Sequence, residues 1–332
     1  MSSFYNKYRP NNLNEITYHD NSIKILKNLD KNNIPHLIFY GQGGCGKKTL
    51  LYSFLNNTTK KKCFYKYKTS NKEIQFTLLK SDNIIEIDIG EMGIYNKFVI
   101  RDVIKEFAQT KKVDNNAIQI IVLHHTELLD KEAQYILRRI MELYIHNCRF
   151  ILLCNSINKI IKPLRSRSLC IRINCLEDND IFKELKIIKE KENIRISDET
   201  LHNIIKLSER NFKICILQLE YYTIKKSTKI NEYDNLLLAL TKYVNSSKIT
   251  LKIFNKIDEI LYKLMVNNDL NTTNIFKLIY NNFVEKFDND DDKVKLTFLL
   301  SKYEYNYVIG SKDIFHLQGF VYDIIHLLKK NL

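Results

Sequence analysis

The stretch His36-Leu37-Ile38-Phe39-Tyr40-Gly41-Gln42-Gly43-Gly44-Cys45-Gly46-Lys47-Lys48-Thr49 decides the fold. Its first five residues read as a buried strand, Lys47 to Phe54 reads as a helix, and a glycine-rich turn joins the two. Gly41 to Lys47 fits GxxxxGK, a loop whose backbone N–H groups wrap phosphates while its lysine reaches the β- and γ-phosphates. Glycine is required where the chain takes positive φ and approaches the anion closely. The helix that follows adds the positive end of its dipole. A merely flexible turn accounts for the glycines but not for the lysine. One position departs from the pattern: the Ser or Thr that holds Mg²⁺ belongs directly after Lys47, and Lys48 stands there instead. The hydroxyl arrives one residue late at Thr49, turned by about 100° around the helix. Gly41, Gly43, Gly44, Cys45, Gly46, Lys47, Lys48 and Thr49 are therefore expected to bind ATP or ADP, with Mg²⁺ weakly held or absent.

Upstream, Asn21 to Leu29 has the apolar spacing of a short amphipathic helix that breaks around Pro35. Downstream, the polar segment Asn56 to Asp82, with Lys60-Lys61-Lys62 and Ser70-Asn71, reads as an inserted hairpin rather than core. Strands are expected at Ile84 to Ile89, Ile118 to Leu123 and Phe150 to Cys154, and helices at Lys97 to Thr110 and Lys131 to Tyr144. That alternation predicts a parallel α/β sheet. After Cys175 helical periodicity takes over, with helices at Asp180 to Glu192 and Asp198 to Leu207, the second capped by Ser197 or Asp198. A polar stretch, Lys225 to Tyr233, precedes a last helical block that runs to Leu332. Asp288 to Asp292 reads as a solvated acidic turn within that block, because the alternating ligands and closing glutamate of a calcium loop are missing.

Composition supports a folded, mainly helical chain: 332 residues, 45% hydrophobic, with only three prolines and eight glycines to punctuate a loop-rich β fold. The net charge of +14, from 52 basic and 38 acidic residues, suits a polyanionic partner, although Lys is spread over the whole chain and charge alone does not decide. Seven cysteines form no CxxC pair and no zinc-ligand spacing with histidine, as expected of reduced thiols in a cytosolic or nuclear protein. No run approaches the roughly 20 apolar residues that span a bilayer, and Met1 to Asn12 lacks an apolar secretory segment, so a soluble intracellular protein is expected.

The strand Ile120-Ile121-Val122-Leu123 ends in His124 and His125, where related ATPases carry an Asp for the metal and a Glu that activates water. Neutral imidazoles supply no charge to attract Mg²⁺, and Glu127 lies too far along to replace them, so hydrolysis is expected to be weak or absent. The two histidines point to opposite faces of a strand and do not converge on one ion.

Taken in order, these and further motifs resemble the AAA+ small subunits of eukaryotic replication factor C. Lys7-Tyr8-Arg9-Pro10 resembles the KYRP segment packed near adenine, and Gly46-Lys47-Lys48-Thr49 resembles the GKKT variant of the hydrolytically silent end member of that ring. Lys131 to Glu142 is similar to the central helix D-A-Q-x-x-L-R-R-x-M-E. Cys154-Asn155-Ser156 looks like sensor 1, and Pro163 to Ser168 resembles the P-x-R-S-R-C box with Ser168 in the cysteine's place. Arg210-Asn211-Phe212-Lys213 corresponds to the lid's G-D-x-R segment, with Lys213 where sensor 2 has arginine. Apart from this lid segment, the motifs cover about the first 175 residues.

The resemblance implies an α/β P-loop AAA+ domain at residues 1–175, a helical lid at 176–232 and an all-helical collar at 233–332 that joins sister subunits. It adds Tyr8, Arg9, Pro10, Asn155 and Lys213 to the nucleotide-binding set, and makes Arg167 an arginine finger supplied in trans to a neighbour's nucleotide. It further implies a nuclear hetero-pentamer that loads a sliding clamp onto primer-template DNA, with Arg138 on the helix that couples DNA to nucleotide. Lys97, Arg101 and Lys105, four residues apart, form a basic stripe expected to face a DNA backbone. A stand-alone P-loop NTPase and a shared subunit of a checkpoint clamp loader remain as alternatives.

Overall fold

The computed structural model describes residues 3–29, 34–56, 61–68, 73–81, 83–110, 118–225, 229–244, 251–266, 272–287, 289–310 and 312–330. Its apolar runs become the strands β1 (Leu37–Tyr40), β4 (Ile84–Asp88), β5 (Gln119–His124) and β6 (Cys148–Cys154), buried on both faces as strands of a parallel sheet are. Three further strands, β2 (Lys61–Lys68), β3 (Glu73–Lys80) and β7 (Leu169–Arg172), complete a seven-stranded sheet of order β2-β3-β4-β5-β6-β1-β7. Pairing is parallel from β4 to β7 and antiparallel for β2 with β3 and β3 with β4.

Before and within this sheet come the helices α1 (Phe4–Lys7), α2 (Asp20–Lys27), α3 (Lys47–Leu55), α4 (Asn96–Val99), α5 (Lys105–Gln109), α6 (Lys131–Leu143) and α7 (Lys162–Ser166). After β7 only helices follow: α8 (Asp178–Lys191), α9 (Asp198–Leu207), α10 (Phe212–Lys225), α11 (Lys229–Val244), α12 (Leu251–Val266), α13 (Thr272–Val284), α14 (Asp290–Ile309) and α15 (Asp313–Lys330). Ser197 caps α9, its hydroxyl accepting the Thr200 N–H. The chain thus has an α/β sheet with a phosphate-loop turn between β1 and α3, followed by helices α8 to α10 and an all-helical C-terminal region. It divides into two compact units, Met1–Glu220 and Tyr221–Leu332.

Four local expectations are corrected. The hairpin between Asn56 and Asp82 is not an appendage: β3 pairs with β4, and Phe76 and Leu78 enter the main core beside Ile85, Ile87 and Val103. Its turn, including Ser70 and Asn71, lies outside the described residues. The helix expected at Lys97 to Thr110 contains a π-helical turn, Ile100–Ile104, between α4 and α5, which lets Val99, Ile100, Val103 and Ile104 all pack inward. The strand β7 was not expected, because Leu169 to Arg172 carries an exposed Leu169 and Arg172 and lacks the run of buried positions that marks the other parallel strands. The acidic segment is the first turn of α14 rather than a free turn: Asn289 caps it, and Asp292 is buried and paired with Lys295 at 2.7 Å. Asp288 lies outside the described residues, as do residues 226–228 of the polar stretch before the last block.

The second unit packs α11 to α15 around Leu261, Phe276, Phe283, Leu296, Phe320 and Ile324. Its helix α14 is apolar on two sides. Leu296, Leu299, Leu300, Tyr303 and Tyr307 face the core, while Val294, Phe298, Tyr305, Val308 and Ile309 are exposed. No helix among the described residues is long and apolar enough to cross a membrane.

Candidate nucleotide site

The phosphate loop sits where β1 ends, between β6 and the edge strand β7. Gly44 (φ 75°) and Gly46 (φ 99°) hold left-handed conformations, and Gly46 opens α3 directly. A Cβ on Gly44 would lie 1.7 Å from Asn211 Oδ1, so the loop is shaped to take this neighbour. Asn211 also accepts the Ile214 N–H at 3.3 Å, capping α10 against the loop. Lys47 Nζ donates to Gly41 O at 2.5 Å, Gln42 O at 2.8 Å and Asn155 Oδ1 at 2.9 Å. Asn155, at the end of β6, is thereby brought onto the loop. Cys45 is buried, its thiol pushed up by burial, and its carbonyl accepts from His19 Nε2 at 2.8 Å. Thr49 is buried in the packed face of α3, away from the position after Lys47.

The N-terminal segment divides its contributions. Arg9 lies over the rings of Tyr5 (4.5 Å) and Tyr52 (5.3 Å), and its Nε is buried without a hydrogen-bond partner. Lys213, in the first turn of α10, lies 5.7 Å over the same Tyr5 ring. Tyr8 turns elsewhere, its hydroxyl donating to Glu192 at the end of α8 at 2.5 Å. The Pro10 carbonyl accepts the Ser53 hydroxyl at 2.9 Å and so docks the segment on α3.

Sequence reasoning missed where the acids are. Glu86 and Asp88 stand on β4, one strand over from the histidines, with Asp88 in register with His124. Glu86 Oε2 accepts the Tyr52 hydroxyl at 3.0 Å and lies 3.3 Å from His124 Nε2. Asp88 Oδ1 lies 2.7 Å from His125 Nδ1 and accepts the Gly90 N–H at 2.9 Å. Burial works against the Asp88 carboxylate, but His125 and the Gly90 amide outweigh it and hold its pKa at about 2. The same hydrogen bond raises His125, whereas burial lowers His124. The two neighbouring imidazoles therefore serve different carboxylates, His125 through a left-handed backbone (φ 53°). A signal was available: two acids interrupt the apolar run of β4, and charges in a strand buried on both faces need partners.

Lys48 is half-buried within the fields of Asp88 and Glu86; burial lowers its pKa, the two acids raise it, and Lys213 and Arg9 lower it further. This donor set does not fit Mg²⁺. Asp88 is engaged by His125 and Gly90, Glu86 by Tyr52 and His124, and an ammonium stands where the metal's hydroxyl ligand belongs. Among the described residues no cluster of three His, Cys, Asp or Glu side chains is placed to hold a metal ion.

A second charged group gathers at the end of α7. Arg167 Nε lies 2.5 Å from Glu142 Oε1 of α6, and its Nη1 donates to Pro163 O at 3.0 Å. Arg138 Nε stands 3.7 Å from the same Glu142 oxygen and makes no hydrogen bond. The basic stripe is partly neutralised: Lys97 pairs with Glu132, and Arg101 pairs with Asp102 at 2.8 Å while stacking on Phe98. Lys105 is exposed on α5, Arg101 lies within the π-helical turn, and Lys97 stands on the far side of that turn on α4.

No family model matches the chain. It is similar to the probable replication factor C subunit 3 of Dictyostelium discoideum, 33% identical over 98% of both chains. It is likewise similar to replication factor C subunit 5 of Oryza sativa (30% identical, 98% and 97% covered) and to replication factor C subunit 3 of Homo sapiens (29% identical, 99% and 97% covered). Among solved structures it is similar to RuvB of Thermotoga maritima, with a TM-score of 0.47 and 15% identity over 83% of this chain and 80% of that one. The ordered motifs, the phosphate loop on its parallel sheet and the full-length similarity lead to one conclusion: the chain belongs to the replication factor C subunit family.

Proposed function

We propose that this chain is the nucleotide-holding, hydrolytically silent small subunit of a replication factor C clamp loader, the member with the GKKT loop. It works in a nuclear hetero-pentamer that opens a sliding clamp and places it on primer-template DNA, using ATP hydrolysed at other subunits' interfaces. One observation carries this reading: the phosphate cradle keeps its glycines and Lys47, while the tip of β5 carries two histidines tied to carboxylates of β4. A site with donors for phosphate and no free acid for metal or water binds nucleotide without cleaving it.

Arg167 supplies the other half of the function. Its guanidinium is exposed on one side and held by Glu142 on the other, a geometry suited to lying against a γ-phosphate presented by a neighbouring subunit. The exposed apolar side of α14 supports assembly, since a helix with Val294, Phe298, Tyr305 and Ile309 in solvent suits a face that a sister subunit covers. Lys97, Arg101, Lys105 and Arg138 contact the DNA backbone through charge, without reading sequence.

Co-purification tests this proposal. A tagged chain brings down four related AAA+ subunits and binds nucleotide with negligible turnover alone. Elution as a single chain that hydrolyses ATP briskly would overturn it and favour the stand-alone P-loop NTPase.

A further inference from the structure

We propose that Lys48 replaces the divalent cation in this site, so that the chain binds a nucleoside di- or triphosphate independently of magnesium. The inference rests on the nucleotide-binding reading above and concerns what neutralises the phosphates there.

The argument begins with helix geometry. Lys48 lies one turn before Tyr52 on α3, and residues four apart share a helix face. The Tyr52 hydroxyl reaches Glu86 at 3.0 Å, and Arg9 lies 5.3 Å over the Tyr52 ring. That face of α3 therefore looks toward the carboxyl end of β4, where Glu86 and Asp88 stand, and toward the Arg9 and Lys213 side of the loop. Directly after Lys47, in the first turn of α3, the Lys48 side chain starts from the position whose hydroxyl normally bridges to the metal beside the β- and γ-phosphates.

The charges then decide between two cations. In an ordinary loop, Mg²⁺ is held by a neutral hydroxyl and an unpaired carboxylate. Here each carboxylate is already engaged, Asp88 by His125 at 2.7 Å and Glu86 by Tyr52 and His124. A magnesium ion would have to strip those partners and sit against an ammonium, where like charges in a partly buried site repel strongly. A lysine needs neither step. Its compact ammonium offers three donors on a flexible stem, enough to meet phosphate oxygens while keeping Asp88 and Glu86 as distant counter-charges. Lys47, Lys48, Arg9 and Lys213 together give four positive groups for one polyphosphate, and none of them requires a metal.

Fluorescent ADP and ATP analogues titrated onto the purified full chain, in magnesium and in EDTA, test the idea. The wild-type affinity is expected to agree between the two buffers within about twofold. Lys48→Gln should weaken binding about tenfold in both buffers, and Lys48→Arg should restore most of it, which a general packing defect would not allow. The triple variant Lys48→Thr, His124→Asp, His125→Glu should bind about tenfold more tightly with magnesium than without. Wild-type binding that strengthens tenfold or more on adding magnesium, about the effect of one well-made charge interaction, would overturn the inference while leaving nucleotide binding intact. Absence of binding in both buffers, with a native far-UV spectrum, would remove the nucleotide reading and this inference together.

Discussion

The phosphate loop and the Arg167 corner belong to the same unit and have opposite deficits. The loop has the donors for a nucleotide but lacks free acids to act on it, since Lys48, His124 and His125 occupy the places where metal and water would be handled. The Arg167 corner has a guanidinium ready for a phosphate but no phosphate loop of its own beside it. The proposed function thus splits catalysis in this chain: binding at one corner, charge stabilisation exported from the other. Losing either half alone should produce distinct defects.

The largest effect is expected at the exported half. In the reconstituted complex, Arg167→Ala should lower turnover at the interface it serves by about a thousandfold, with this chain's own nucleotide affinity unchanged. Steady-state DNA-stimulated ATPase and nucleotide titration separate the two. A parallel fall in nucleotide affinity would erase the distinction between the corners.

The retained half answers to a different change. Gly44→Val puts a Cβ 1.7 Å from Asn211 Oδ1 at a φ of 75°, and should cost this chain's nucleotide affinity about a hundredfold while leaving the charge-stabilising role of Arg167 in place. Equilibrium binding of labelled ADP measures it.

A stability effect of about 2 kcal/mol at about pH 5 is expected from His36. His36 is buried beside Phe150, and burial together with Arg149 lowers its pKa to about 4. The unfolded imidazole takes up a proton near its ordinary value of 6.5 while the folded one resists, so stability is full above that value and falls as pH drops. His125 acts in the opposite sense: its raised pKa contributes stability at low pH that is lost as pH rises through the folded value. Urea unfolding across this range should show a net acid sensitivity that His36→Gln flattens. The smallest effect is electrostatic: Lys105→Ala should lower the slope of log affinity for DNA against log salt by about one while leaving nucleotide binding alone.

How much of this was legible in the sequence follows from what each feature depends on. The loop, β1, β5 and α6 were readable because strand, glycine cluster and helical periodicity are local signals. The absence of the usual hydroxyl, at Lys48, and of the usual acids, at His124 and His125, was equally local. Their replacement was not, because Glu86 meets His124, and Asp88 meets His125, only through the pairing of β4 with β5. The same holds for Asn211 beside Gly44 and for Glu142 beside Arg167, contacts between residues far apart along the chain. The hairpin was misjudged for a related reason: Phe76 and Leu78 look like half of an exposed ribbon until β3 is seen to join β4. The basic spacing of Lys97, Arg101 and Lys105 was visible, but Glu132 and the π-helical turn that alter its charge and alignment were not.

A single-turnover experiment tests the split most directly. The purified chain, in excess over radiolabelled ATP with magnesium present, should retain the label as intact ATP for hours. Conversion of the bound label to ADP within seconds, at the rates of ordinary ATPases, would contradict the account, because the histidine-capped strand would then be handling water after all.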